Sequence, residues 1–115
     1  MVTVGALTED GPYELAPGVR MFPLFGEAGM LNLVELDPDA VVPLHSHPHE
    51  QLGFVLSGEI TMTIDGVDHP LSPDGAYTIP GGVAHGARAG ASGCRVIDVF
   101  VPVREDYRTL ARGER

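Results

Sequence analysis

Between Glu59 and Asp65 the chain alternates without a break, with Ile60, Met62 and Ile64 apolar and Thr61 and Thr63 between them. Successive side chains of an extended strand point to opposite faces, so this period of two predicts a strand with one face buried. Asp65-Gly66 follows, and Val67–Leu71 resumes a strand-like run. A two-residue type I′ turn needs positive φ at both central positions, which Asp and Gly tolerate, so the segment predicts a tight hairpin. Other short apolar runs close on Gly, Pro or a polar cluster: Val19–Phe25, Met30–Leu36, 51–56, Ala76–Ile79, 85–89 and 94–101. With the hairpin's two runs they make eight brief strands, which predicts an all-β antiparallel sandwich or closed barrel with its core over about 19–101. Only the tail, 102–112, has a helical period. There Tyr107, Leu110 and Ala111 share one face and Glu105 and Asp106 stand near the start, which predicts a short helix over a sheet edge or barrel mouth.

Composition narrows the picture. A chain of 115 residues forms a single domain, 1–115, and its 15 glycines and 10 prolines suit many turns better than a helical bundle. No apolar run is long enough to cross a bilayer, and the first residues lack the basic flank and apolar stretch of a secretory signal. Cys94 is the only cysteine, so no intrachain disulfide forms; a reducing cytoplasm is expected, with Cys94 a small buried hydrophobe. The net charge is −9, and all seven basic residues are arginine. Such a chain repels a phosphate backbone, which argues against nucleic acid as a partner. No membrane partner is expected, and an anionic small molecule needs local positive charge at its site.

Candidate chemistry gathers in two stretches. In 43–58, His45, His47, His49 and Gln51 alternate, so on an extended segment all four share a face. A polar strand edge would look the same. In 75–85 a strand runs into Pro80-Gly81-Gly82 and the chain re-enters at His85. Glycines there permit a tight reversal beside a packed site, where a side chain would collide. A turn followed by a partly buried histidine also fits.

Together the two stretches resemble the paired motifs of the cupin superfamily. His-x-His-x-x-x-(Glu/Gln) with a following glycine stands here as His45, His47, Gln51 and Gly58, and Pro-x-Gly-x-x-His as Pro80, Gly82 and His85. The resemblance implies a double-stranded β-helix, a jelly-roll barrel that is usually a homodimer. It also implies one divalent transition metal ion held by His45, His47, Gln51 and His85. Three imidazoles suit Zn, Ni, Fe, Mn or Cu without choosing among them. His49 is not a motif ligand, and His69 has no assigned role. Asp39 stands where the family pattern has glycine. Gln51 stands where many relatives carry glutamate; being neutral, it leaves the ion its full double charge, which attracts anions.

The last strand adds Asp98, on one face with Val96 and Phe100. A carboxylate among apolar neighbours is costly without a partner or a task. Residues 98–107, Asp-Val-Phe-x-Pro-x-Arg-x-Asp-Tyr, look like the ending of the KdgF-type cupins of pectin and alginate degradation, which linearise 4,5-unsaturated monouronates. That resemblance implies Asp98 as acid and base, Phe100 as a wall against substrate and Arg104 as the carboxylate contact. Arg104 alone also reads as a solvated charge opening a helix. The expectation is a metal-dependent lyase or isomerase acting on a small anionic sugar or keto acid. A dioxygenase, a polyketide-cyclase-like enzyme and a non-catalytic small-molecule-binding cupin remain alternatives. No DNA-binding segment is visible in the sequence, so a transcriptional role is not expected.

Overall fold

The computed structural model describes residues 2–113. Two long strands, β5 (Glu50–Ile64) and β8 (His85–Val101), organise it. They pair antiparallel along nearly their whole length, from Glu50 opposite Val101 to Ile64 opposite His85. The 94–101 half of β8 also pairs with β3 (Met30–Leu36), which continues to β2 (Val19–Phe25) and β1 (Tyr13–Ala16). On its far side the N-terminal half of β5 takes β7 (Ala76–Ile79). The other halves of the long strands take β4 (Val41–His45) beside β8 and β6 (Val67–Leu71) beside β5. Two antiparallel layers thus share two bent strands, which is the jelly-roll barrel expected from the sequence.

The bend has a local cause. The β5–β8 register slips between Val55 and Ser57 and again between Gly58 and Ile60. Gly58 sits there at φ 76°, and a Cβ on it would run into the Gly93 carbonyl oxygen. Only glycine fits both constraints. The residue therefore lets one strand turn from the first layer into the second. Gly58→Ala should lower unfolding stability by at least about 2 kcal/mol, read from the urea midpoint, because left-handed strain and backbone overlap add. A midpoint equal to the parent's would mean the corner is not rigid.

This bend corrects the expected boundaries. Runs 51–56 and 59–64 are one strand, as are 85–89 and 94–101. Ser57-Gly58 and 90–93 look like turns in sequence, but Ser57 and Gly58 lie opposite Arg95 and Cys94 in the ladder. Two strands were not foreseen. In β4, Pro43 and a mostly exposed face leave no clean alternation, and β1 is only four residues long. The hairpin forms as expected, with Asp65 at φ 51°, Gly66 at φ 79° and Ile64 opposite Val67. Asp39, in the glycine position of the family pattern, takes the left-handed conformation at φ 61°. Aspartate tolerates it better than most residues.

The core lies between the layers, with Val19, Val55, Ile60, Met62, Ile79 and Val96 at its centre. Cys94 is buried and free in the same cluster. β8 is apolar on both faces because Ile97 is covered from outside by Phe22, Leu33 and Leu7. The helix α1 (Glu105–Ala111) half-buries Tyr107, Leu110 and Ala111. Among the described residues no helix is long and apolar enough to cross a membrane.

Candidate metal centre and active site

The candidate ligands arrive from both layers. His45 ends β4 and pairs with His85, the first residue of β8. Gln51 stands near the start of β5, and His47 lies in the short connection between β4 and β5. The Pro80–Ala84 turn docks on that connection, where the Gly82 N–H donates to the His47 carbonyl at 2.8 Å. A Cβ on Gly81 would overlap the Pro48 carbonyl oxygen, so Gly81 permits the close approach expected of the pair. Gly82 has open space around it; its requirement is φ 84° rather than room.

His45, His47 and His85 each bring one ring nitrogen within 4.8 Å of the others. Their tautomers follow from the hydrogen bonds. The Nδ1 atoms face backbone carbonyls: Pro43 from His45 at 2.8 Å, His49 from His47 at 3.1 Å and Val83 from His85 at 2.9 Å. Carbonyls only accept, so each Nδ1 carries the proton and each Nε2 presents a lone pair. Gln51 Oε1 lies 3.1 Å from Nε2 of both His47 and His85. A hydrogen bond from Gln51 lowers the Asp98 carboxyl, which suits an amide whose oxygen is turned to the histidines. Two imidazole lone pairs and a carbonyl oxygen thus meet with no donor among them. Three acceptors in contact repel unless a cation sits between them, so this donor set fits a divalent ion. Burial holds His47 and His85 below the ordinary histidine pKa, with the Arg104 charge adding to the effect, so both stay neutral as ligands must be. His49 stays outside: its ring packs beside His47 at 5.5 Å, and its buried Nδ1 has no partner. His69 is exposed on β6.

Beside the cluster lies a cavity of about 350 Å³, lined by His45, Gln51, His85, Tyr77, Asp98, Phe100 and Arg104 above an apolar floor. Asp98 is buried, and its carboxyl is pushed up to about 6 by burial, against hydrogen bonds from Tyr77 and Gln51 and the Arg104 charge. The Tyr77 hydroxyl donates to Asp98 Oδ1 at 2.5 Å. That contact crosses β5, where Gly53 lies opposite both residues. A Cβ on Gly53 would meet Asp98 Oδ1 and the Tyr77 hydroxyl at 2.5 Å each, so the glycine opens the slot the hydrogen bond spans. Tyr77 escaped the sequence reading because its link to Asp98 depends on the register of three strands.

Arg104 is buried, and its guanidinium is fixed by Asp106 through Nε at 3.0 Å and Nη2 at 2.8 Å. Its carbon stands 3.9 Å from the Tyr107 ring centre and 5.0 Å from that of Phe100. Phe100 is wedged edge-on against His47 and Tyr107. The three residues assigned by resemblance, Asp98, Phe100 and Arg104, thus line one cavity with His45, Gln51 and His85.

The fold is that of a cupin, and the three imidazoles of this site could hold a metal ion. The cupin-domain family model matches residues 32–100, and the chain belongs to the cupin family. Among solved structures it is similar to KdgF from Halomonas sp., 32% identical with a TM-score of 0.77, over 82% of this chain and 87% of that one. Among curated proteins it is 37% identical over 72 residues to the H2HPP isomerase of Bacillus subtilis, covering 62% of this chain and 30% of that one. It is also 39% identical over 57 residues to the HTH-type transcriptional regulator PuuR of Escherichia coli K12, covering 49% of this chain and 31% of the regulator. The matched region spans about a third of the length of those curated relatives.

Proposed function

We propose that the protein is a metal-dependent isomerase that opens the ring of a 4,5-unsaturated monouronate to its linear keto form. One observation carries the reading: a buried carboxyl with a pKa of about 6, Asp98, hydrogen-bonded to Tyr77, lines the same cavity as the imidazole cluster. An acid or base works best with a pKa near the operating pH. The similarity to KdgF over most of both chains supports the substrate class, and the similarity to an isomerase fits a reaction without redox change.

The conversion conserves atoms and oxidation state. The anomeric hydroxyl loses a proton, its oxygen forms a carbonyl, and the bond from the anomeric carbon to the ring oxygen breaks toward that oxygen. The resulting enolate becomes a ketone as its vinyl carbon takes a proton. One proton leaves oxygen and one arrives at carbon, so Asp98 can serve as both base and acid. Tyr77 holds the Asp98 carboxyl through Oδ1. Arg104 keeps an N–H edge beyond the one Asp106 occupies, which suits a substrate carboxylate in a chain of net charge −9. A divalent ion on His45, His47, Gln51 and His85 would supply Lewis-acid polarisation of a substrate oxygen.

The test follows the conjugated ultraviolet absorbance of an unsaturated monouronate mixed with metal-loaded protein. Wild type should bleach it, and Asp98→Asn should be slower by roughly a hundredfold or more. If wild type leaves the absorbance at the buffer rate, the uronate reading fails. Uronate binding without turnover would favour the ligand-binding alternative.

A further inference from the structure

The inner wall carries one polar group that the proposed chemistry leaves unused. Asn32 lies on β3 directly opposite Asp98, so Asn32, Asp98, Gly53 and Tyr77 form a row across four adjacent strands. Asn32 is 1% exposed and lines the same cavity. Its Nδ2 donates to Met21 Sδ at 3.5 Å, a weak acceptor, and its Oδ1 has no hydrogen-bond partner. Other core residues of β3 on this face, Met30, Val34 and Leu36, are apolar. An asparagine among them costs folding free energy and returns no internal hydrogen bond for its acceptor.

We infer that Asn32 is a specificity-determining residue whose Oδ1 accepts a hydrogen bond from a hydroxyl of the substrate. The inference rests on the uronate reading and deepens it: the sugar acid must present a hydroxyl one strand away from the carboxyl that moves its proton. A ligand hydroxyl brings the donor that Asn32 Oδ1 lacks, and Asn32 lines the cavity that would hold it. A site built to accept from a hydroxyl discriminates against an analogue lacking it, because the buried acceptor then stays unpaired.

The test uses D-galacturonate, a saturated uronate that cannot undergo the reaction, and its monodeoxy analogues. Affinities are measured by calorimetry on protein loaded with one divalent ion per chain. Asn32→Leu, close in size and apolar, should unfold at the same temperature as wild type or higher, because an unsatisfied group has been removed. It should bind D-galacturonate about tenfold more weakly, and the difference should vanish for one monodeoxy analogue only. If Asn32→Leu does not fold, Asn32→Ala is compared in the same way. Variants that bind D-galacturonate as wild type does, or lose affinity equally for every analogue, overturn the inference and leave the uronate reading standing. So does a variant with a clearly lower midpoint and no analogue dependence, which would make Asn32 structural. A wild type that binds no uronate overturns both readings.

Discussion

Adding a divalent transition metal ion at about one hundred times its dissociation constant should stabilise the protein by nearly 3 kcal/mol. In a domain of this size that is roughly a 10 °C rise in the unfolding midpoint. The reason is the contact of Gln51 Oε1 with Nε2 of His47 and His85 at 3.1 Å each. All are acceptors once the Nδ1 protons are spent on backbone carbonyls, so the metal-free site carries repulsion that a cation turns into attraction. His85→Ala removes one imidazole and should abolish the rise, with metal content falling from about one ion per chain to near zero after dialysis. A midpoint in wild type that ignores every divalent ion tried, with His85→Ala behaving identically, would end the metal assignment. Gln51→Glu gives a sharper contrast. It should bind the ion more tightly, since it adds charge, but lower its attraction for a carboxylated ligand.

The second large effect concerns Asp98 in metal-free protein. Its carboxyl rises from an ordinary 3.8 to about 6, chiefly through burial. Between those values the native state holds more protons than the unfolded chain. Stability from the protonated form is therefore fully present below about pH 4 and is lost as pH climbs through 6. The loss amounts to about 3 kcal/mol, from roughly two units at 1.36 kcal/mol each. Asp98→Asn resembles the protonated acid at every pH. Its stability relative to wild type should thus improve by about 3 kcal/mol between pH 4 and pH 7.5, read from urea midpoints with chelator present. A difference independent of pH would show that Asp98 titrates normally. On the proposed function the same substitution should slow turnover by roughly a hundredfold or more, so the residue that limits stability at neutral pH would be the one the chemistry needs.

Much of this protein was legible along the chain. Alternation at Ile60, Met62 and Ile64 gave the buried face of that stretch, and Asp65-Gly66 gave the turn, because both depend on neighbours in sequence. The resemblance of the motifs at His45, His47, Gln51 and His85 to those of the cupins implied a metal-ligand set, and its three imidazoles converge in the fold. A polar residue stranded in an apolar run marked Asp98, and the same signal at Asn32 went unread; Met30, Val34 and Leu36 flank it as Val96 and Phe100 flank Asp98.

What the sequence determined by itself was therefore local: the strand period, the hairpin, the helix over the tail and the residue types able to hold a metal. Tertiary structure decided what lies across the sheet. It made one bent strand of two apparent ones, since Gly58 accommodates Gly93 of a strand distant in sequence. It laid Tyr77 over Gly53 onto Asp98, and it set the His47 and Gln51 lone pairs against that of His85. Each is a contact between segments far apart in the chain. Register between such segments is set by the packing of the whole barrel, and no local pattern encodes it.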